Sequence, residues 1–384
     1  MYPRQQYPVG GIFVHEQVRA LRARGIDARV ATGDPCRIPT LDPQRIGATL
    51  RAYYAQQPAW TTWDTVPVIH FPYLCGFLIR PTIHTLAYDH GFRRLIAHLR
   101  DVFPFDVVHA HTSFLDGAAG LMAARAVGCP LLITEHTGPF GLLTRNAFMR
   151  YRTRRSVKGA NRVFAVSSSL KQAMLDELAL TPDRIDVLPN GVDPTVFHPV
   201  GGSASEFIRV LWVGHYVEVK RVEHLVRALA RALQSRPRLR LSLLGDGPDR
   251  GKIGTLVADL GLTAHVDFLP ATNRAGVARA MCAHDFVAVS SATETFSLVT
   301  LEALACGVPV LSTACGGPQD LITQPCLGSI VSNDLEGLTS GLIDMADRTG
   351  SGDAARLHAY VRDRFSWDAI AGRLIDTYRG LSTS

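Results

Sequence analysis

Two glutamates, Glu294 and Glu302, stand eight positions apart in "SATETFSLVTLEALACGVPVLS" (291–312), with only uncharged residues between them. A β-rich run precedes them, and the helix-period run that holds Glu302 is closed by Gly307. Read as strand, loop and helix, this puts Glu294 near the helix start and Glu302 about two turns inside. At ~1.5 Å rise per residue the carboxylates would be roughly 12 Å apart along the axis. A glycosidase acid–base pair needs ~5–9.5 Å, so that chemistry is excluded. The span suits a long ligand with hydroxyls at both ends, such as a nucleotide sugar. The inner carboxylate would accept from a ribose diol and the outer one from a sugar. A diphosphate between them would rest on the free amides at the helix start, around Phe296, Ser297 and Leu298. Two unrelated acids on a surface helix are the plain alternative.

Other residues bear on that choice. "LWVGHYVEVKRVEHLVRALA" (211–230) reads as strand, Gly-ended turn and helix, with Lys220 at the helix entrance. An ammonium there can meet phosphate oxygens as a point charge, or it is solvated surface. "LLGDGPDRG" (243–251) places glycines after another strand, but no dinucleotide-binding fingerprint occurs in the chain. Gly316–Gly317 allow either close approach to a ligand or a tight turn. In "DVVHAHTSFLDG" (106–117), alternation sends His109 and His111 to one face at the carboxyl end of a strand. They read as a zinc pair seeking a third ligand, with Glu135 and His136 the only nearby candidates, or as structural histidines; the structural reading is the stronger for His109. Gly10–Gly11 precede a helix, where they fit a phosphate contact or an ordinary turn. The basic run "RNAFMRYRTRRSVKGANR" (145–162) is a solvated helix face or a membrane-surface patch.

The elements that must hold these residues alternate in type. Strand-like runs lie at 27–32, 66–71, 105–111, 130–136, 162–167 and 184–189, and helical stretches separate most of them. The run 34–64 has no clear assignment. A turn-rich stretch at 190–207 reads as a linker. Strand-like runs restart at 207–214, 238–245, 264–270, 285–291, 307–313 and 328–331, and an amphipathic helix closes the chain at 365–381. Alternation of this kind predicts an α/β protein with two doubly wound parallel sheets and a ligand cleft.

The chain has 384 residues, 47% apolar and 19% charged, which suits two soluble domains. No apolar run is long enough to span a bilayer. Seven scattered cysteines without a CxxC pair exclude a disulfide framework or zinc ribbon. Residues 1–200 carry 22 Lys and Arg against 15 Asp and Glu, while 201–384 carry 18 against 19. The basic first half suggests an anionic partner. Nucleic acid is not expected, because no zinc-finger or RNA-binding signature accompanies the charge.

In order along the chain, these motifs resemble glycosyltransferase family 4, the retaining transferases of GT-B fold. The likeness covers essentially the whole chain and is most specific over 205–325. It implies two Rossmann-like domains facing a cleft: 1–195 on the acceptor side and 205–365 binding the nucleotide sugar, with the final helix (about 366–384) packing back on the first. It also implies roles. Glu302 would bind ribose hydroxyls, Glu294 the donor sugar, Lys220 the diphosphate, and the amides of Phe296–Leu298 the distal phosphate. His111 would contact the donor sugar and orient the acceptor, and Gly10–Gly11 would face the phosphates. The reaction implied is retaining transfer to a hydroxyl acceptor, lipid-linked or saccharide, in cell-surface polysaccharide or glycolipid synthesis. No metal or other cofactor would be required. The enzyme would be cytoplasmic, peripheral at the inner face of an anionic membrane. A GT-B epimerase using Glu135, or an inactive nucleotide-sugar-binding paralogue, is the alternative.

Two departures stand out. The family commonly has Arg after the strand glycine, where this chain has Gly214–His215. His215 would then take a phosphate contact as imidazolium, or Lys220 would carry the charge nearly alone. The chain also begins at the glycine loop, so the first strand of the N-terminal domain is missing. The expectation is that about ten apolar residues belong upstream.

Overall fold

In the computed structural model, which describes residues 2–3, 10–38, 42–56, 58–76, 81–201, 205–350 and 353–382, the strands form three sheets among the described residues. The chain divides into two units. One takes Met1–Val166, Lys171–Leu188 and Ile370–Ser384; the other takes Ser167–Leu170 and Pro189–Ala369.

The N-terminal unit holds two of the sheets. β1 (Val30–Arg37) pairs in parallel with β3 (Val66–Cys75), and β2 (Trp60–Trp63) adds to β3 antiparallel. β4 (Val108–His111), β5 (Leu131–Glu135), β6 (Arg162–Ala165) and β7 (Asp186–Val187) form a second, parallel sheet. β5 is buried at every position, as expected of a strand covered on both faces. The run 34–64, unassigned from sequence, holds the end of β1, the helix Pro43–Ala55 and β2. Gly33, Asp34 and Pro35 look like a turn in sequence yet continue β1 in register with Phe71, Pro72 and Tyr73. The helix Pro81–Val102 crosses β3 at Gly91, where a Cβ would stand 2.2 Å from the Pro72 carbonyl oxygen.

The C-terminal unit is one six-stranded sheet in the order β10-β9-β8-β11-β12-β13, parallel throughout. The strands are β8 (Ile208–His215), β9 (Leu239–Asp246), β10 (Val266–Leu269), β11 (Phe286–Val289), β12 (Val310–Thr313) and β13 (Gly328–Val331). This is the doubly wound order, and its switch point falls between β8 and β11. One face is sealed by the helix Val222–Ala232, whose Leu225, Val226 and Leu229 are fully buried against β8 and β9 side chains. At ~1.5–3 kcal/mol for each such side chain, this face contributes heavily to the unit. The linker-like stretch is itself packed: Val192 and Phe197 are buried, and Val192 bridges Ser366. Among the described residues no helix is long and apolar enough to cross a membrane.

Candidate active site

The switch point of the C-terminal sheet gathers most of the expected donor residues. β8 ends at His215, and a short 3-10 turn, Glu218–Lys220, follows. β11 ends at Val289 and runs into the loop bearing Glu294. Ala292 N donates to Val219 O at 2.8 Å and Ser290 Oγ to Lys220 O at 2.8 Å, so the two loops are sewn together. Lys220 Nζ then meets Glu294 Oε1 at 2.6 Å, and Ser291 Oγ donates to the same oxygen at 2.7 Å. Oε2 of Glu294 has no partner among the described residues. The lysine side chain is 29% exposed and the glutamate 13%, so the pair is reachable but not fully screened.

Glu294 is fixed from its own backbone. Its amide donates to Cys315 O at 2.7 Å, and its carbonyl accepts from Gly317 N at 2.9 Å. That bridge requires both glycines. A Cβ on Gly316 (φ +113°) would lie 2.7 Å from Glu294 O, and one on Gly317 2.3 Å from the Phe296 Cα. Gly316–Gly317 therefore serve close approach to the Glu294–Phe296 segment. Gly245 plays the same part for Gly214, whose carbonyl oxygen would lie 1.9 Å from an added Cβ.

The helix is Leu298–Ala305, shorter at its start than the spacing suggested. Glu294 lies outside it and Glu302 little more than one turn inside, so the 12 Å helical separation does not apply. The reason is Ser297. It sits at φ +75°, breaks the run before Leu298 and caps it, with its Oγ 3.4 Å from Thr300 N and 2.9 Å from Thr300 Oγ1. The amides of Phe296, Ser297 and Leu298 have no acceptor among the described residues, as the first turn of a helix predicts. Phe296 and Ser297 are themselves buried.

Glu302 is half-buried. Burial pushes its carboxyl up to about 7, partly opposed by the positive charge of Arg274. Arg274, which the sequence reading missed, begins the helix Arg274–Cys282 and stacks 5.3 Å from the Phe197 ring centre. Nothing local in sequence couples 274 to 302; the packing of two helices does. His215 is exposed at the end of β8, and no hydrogen bond or ion pair joins it to Lys220 or Glu294.

In the N-terminal unit His109 and His111 stack at 4.7 Å, as strand alternation required. His109 is held at both ring nitrogens: Nδ1 lies 2.7 Å from the Tyr378 hydroxyl and Nε2 2.7 Å from Thr134 Oγ1. It has no nitrogen left for a metal, and among the described residues no group of three or more His, Cys, Asp or Glu could hold one. His111 Nδ1 lies 3.0 Å from His136 Nε2. Burial lowers all three imidazoles, His109 to about 4 and His136 to about 3, and crowding by the other two adds to the effect on His111. The cluster is neutral at pH 7.

Glu135 is fully buried and saturated. It accepts from Ser113 N at 2.7 Å and from Ser113 Oγ, and from the amides of His136 and Thr137 at 2.8 Å each. It pins two loops, which removes it as an epimerase acid–base group. Gly11 (φ +69°) caps the helix Ile12–Ala23, and Gly10 is buried beside it. The basic run is not one uniform face. Arg152 is turned inward, bonding Asp89 through both terminal nitrogens at 2.5 and 2.8 Å, while Arg154, Arg155 and Lys158 are exposed.

The chain is similar to known proteins along most of its length. Residues 10–196 match the family model "Glycosyltransferase Family 4", and residues 195–344 match "Glycosyl transferases group 1". A D-inositol 3-phosphate glycosyltransferase of Pseudarthrobacter chlorophenolicus is 31% identical, over 96% of this chain and 89% of that protein. Among solved structures, sucrose-phosphate synthase of Thermosynechococcus elongatus superposes with a TM-score of 0.66 at 21% identity, covering 92% of this chain and 99% of that one. HepE of Anabaena, solved in complex with UDP, gives 0.66 at 19% identity over 92% and 100%. Two Rossmann-like parallel-sheet units with these relatives define the GT-B fold. The chain belongs to glycosyltransferase family 4 and is a glycosyltransferase that uses a nucleotide sugar.

Proposed function

We propose that the chain is a retaining transferase that moves a sugar from a nucleoside-diphosphate sugar, uridine diphosphate sugars first among them, to a hydroxyl acceptor in cell-surface polysaccharide or glycolipid synthesis. The observation that carries this is the meeting of Lys220 and Glu294 beside the free amides of Phe296–Leu298. An ammonium has three donors, and Glu294 takes one. The other two suit diphosphate oxygens, and the helix amides suit the distal phosphate. Glu294 Oε2 suits a sugar hydroxyl, and Glu302, helped toward its ionised form by Arg274, suits the ribose diol. Charge building on the departing diphosphate would be met by Lys220 and amide dipoles in place of a divalent ion. Gly10–Gly11 as phosphate neighbours, His215 as an added contact and His111 as a sugar contact rest on the family likeness. The exposed arginines at 154 and 155 with Lys158 suit a peripheral contact with an anionic membrane at its cytoplasmic face.

The test is a panel of nucleotide sugars scored by thermal shift, then by nucleotide release with glycoside and lipid-extract acceptors, with and without EDTA. Proton NMR of the first product reads the anomeric configuration. Inversion, or full loss on chelation with recovery on adding metal, would sink the retaining, metal-free reading.

A further inference from the structure

Two thiols meet at the ends of the helices that carry Arg274 and Glu302. Cys282 closes the helix Arg274–Cys282, and Cys306 caps the helix Leu298–Ala305. We propose that Cys282 is a site of reversible oxidation by a peroxide, that Cys306 resolves it into a disulfide, and that this bond weakens nucleotide binding through Glu302. The oxidation stands by itself, while its effect on nucleotide rests on the donor-site reading above.

Position comes first. The two cysteines are 24 residues apart in sequence, and the packing of the two helices brings them together. Cys282 Sγ lies 3.9 Å from Cys306 O, and Cys306 Sγ lies 3.9 Å from Ala278 O. Ala278 is one turn before Cys282, and in a helix its carbonyl is the acceptor of the Cys282 amide. Each sulfur thus touches the backbone at the other cysteine, which sets the two thiols within hydrogen-bond reach of each other.

Access and reactivity then divide the roles. Cys282 is half-buried beneath the exposed His198 and Val200, and its Sγ donates to His198 O at 3.4 Å. Cys306 is buried. The Cys306 thiol, and then the Val200 backbone, favour the Cys282 thiolate and draw its titration below the ordinary value against the effect of burial. The same pairing, with burial and the charges of Cys282 and Glu302, holds Cys306 above its ordinary value. The thiolate is the nucleophile, so Cys282 attacks first and Cys306 waits as a thiol. Burial pushes the thiols of Cys36, Cys75, Cys129 and Cys315 up, away from that reactivity.

The chemistry balances with one peroxide. The Cys282 thiolate attacks an oxygen of hydrogen peroxide, so that an S–O bond forms and the O–O bond breaks. The hydroxide released takes the proton that the Cys282 thiol lost and leaves as water. Cys306 then attacks the sulfenic sulfur: the S–S bond forms, the S–O bond breaks, and hydroxide leaves with the Cys306 proton as a second water. Two thiols are oxidised and one peroxide is reduced to two waters; a dithiol reductant reverses the bond.

The consequence follows from where Cys306 sits. Its amide donates to Glu302 O at 3.0 Å, so it lies one turn beyond Glu302 on the same helix. A disulfide needs its sulfurs about 2.0 Å apart, well inside non-bonded contact. Closing it pulls the turn that carries Glu302 toward Cys282. A carboxylate moved off its ligand loses hydrogen bonds that depend steeply on distance and angle.

Peptide mapping of the full chain tests this. The chain is treated with one equivalent of hydrogen peroxide, free thiols are blocked with N-ethylmaleimide, and unreduced peptides are read by mass spectrometry. The Cys282–Cys306 disulfide should be the first product, and dithiothreitol should remove it. In Cys306→Ala, oxidation should stop at a Cys282 sulfenic acid that dimedone traps. Oxidation of another cysteine before Cys282 overturns the proposal, as does a parent Cys282 that reaches sulfinic acid while Cys306 stays a thiol. Calorimetry with UDP reads the coupling. The oxidised parent should bind at least threefold more weakly than the reduced one, and Cys282→Ser should bind alike before and after peroxide. An oxidised parent that binds UDP as tightly as the reduced one overturns the coupling to Glu302. The parent's map and affinities decide should a variant fail to fold. Absence of UDP binding by the reduced chain would defeat the donor-site reading and the coupling with it, while the map still decides the disulfide.

Discussion

The two units solve the placing of polar groups differently. The C-terminal unit uses charge. Its six strands form one continuous parallel sheet, and the pair at the switch point comes from two neighbouring strand ends. The N-terminal unit keeps its strands in two sheets and gathers three histidines that burial keeps unprotonated. A region that must hold a diphosphate needs an ammonium and amide dipoles. The difference predicts that C-terminal substitutions act through charge and N-terminal ones through fit.

The largest effect expected is on turnover. Lys220→Ala should lower kcat by about 100-fold, the order of losing an oxyanion-hole donor. Steady-state kinetics with saturating donor reads it. A loss under threefold would mean that the charged pair is structural, and the comparison would fail.

Glu302→Ala should weaken binding of free nucleoside diphosphate by ~1.5–3 kcal/mol, through lost hydrogen bonds to a charged acceptor. Titration calorimetry measures this, and unchanged affinity refutes the role. The same residue has a pH signature. Its folded value is about 7 against an ordinary 4.5, so its favourable contribution is fully present below about pH 4.5 and is lost as pH rises through about 7. Glu302→Gln should therefore melt above the parent at pH 8 and close to it at pH 4.5. Donor affinity in the parent should rise with pH over the same interval, since the ionised carboxylate is the better acceptor.

Gly317→Ala should destabilise by ~1–3 kcal/mol, because its Cβ would stand 2.3 Å from the Phe296 backbone. It should also lower kcat by loosening Glu294. Denaturant melts and kinetics on one preparation separate the two effects. A variant as stable and active as the parent would show that the bridge yields freely.

The smallest effect is on the neutral side. Tyr378→Phe removes the hydroxyl beside His109 Nδ1 and should cost ~1 kcal/mol, with little change in nucleotide affinity. A large fall in nucleotide affinity would blur the distinction between the units.

Legibility in sequence follows the same division. Lys220, Glu294 and Glu302 could be singled out because each sits within a single strand–turn–helix run. β13 was readable to the residue, and His109 and His111 fell on one face as alternation required. Ser297 defeated the helix start, since its positive φ leaves no mark in composition. β1 was cut short because Gly33-Asp34-Pro35 reads as a turn, although partners on β3 hold it extended. A pocket lined by Gly33, Tyr73, Tyr88 and Asp116 was invisible for another reason: these residues lie on four segments that only the fold brings together. Arg274 was missed likewise, because its charge reaches Glu302 from a neighbouring helix.

An ammonium that already holds a carboxylate releases other anions easily. Lys220 has Glu294 at 2.6 Å, tethered by Ser291 and by the backbone bridge to Gly316–Gly317. On the proposed reading, a departing diphosphate would leave the ammonium with a carboxylate one hydrogen bond away rather than as an unmatched charge, which would be costly. The intramolecular carboxylate would then shorten the time that product stays bound between turnovers.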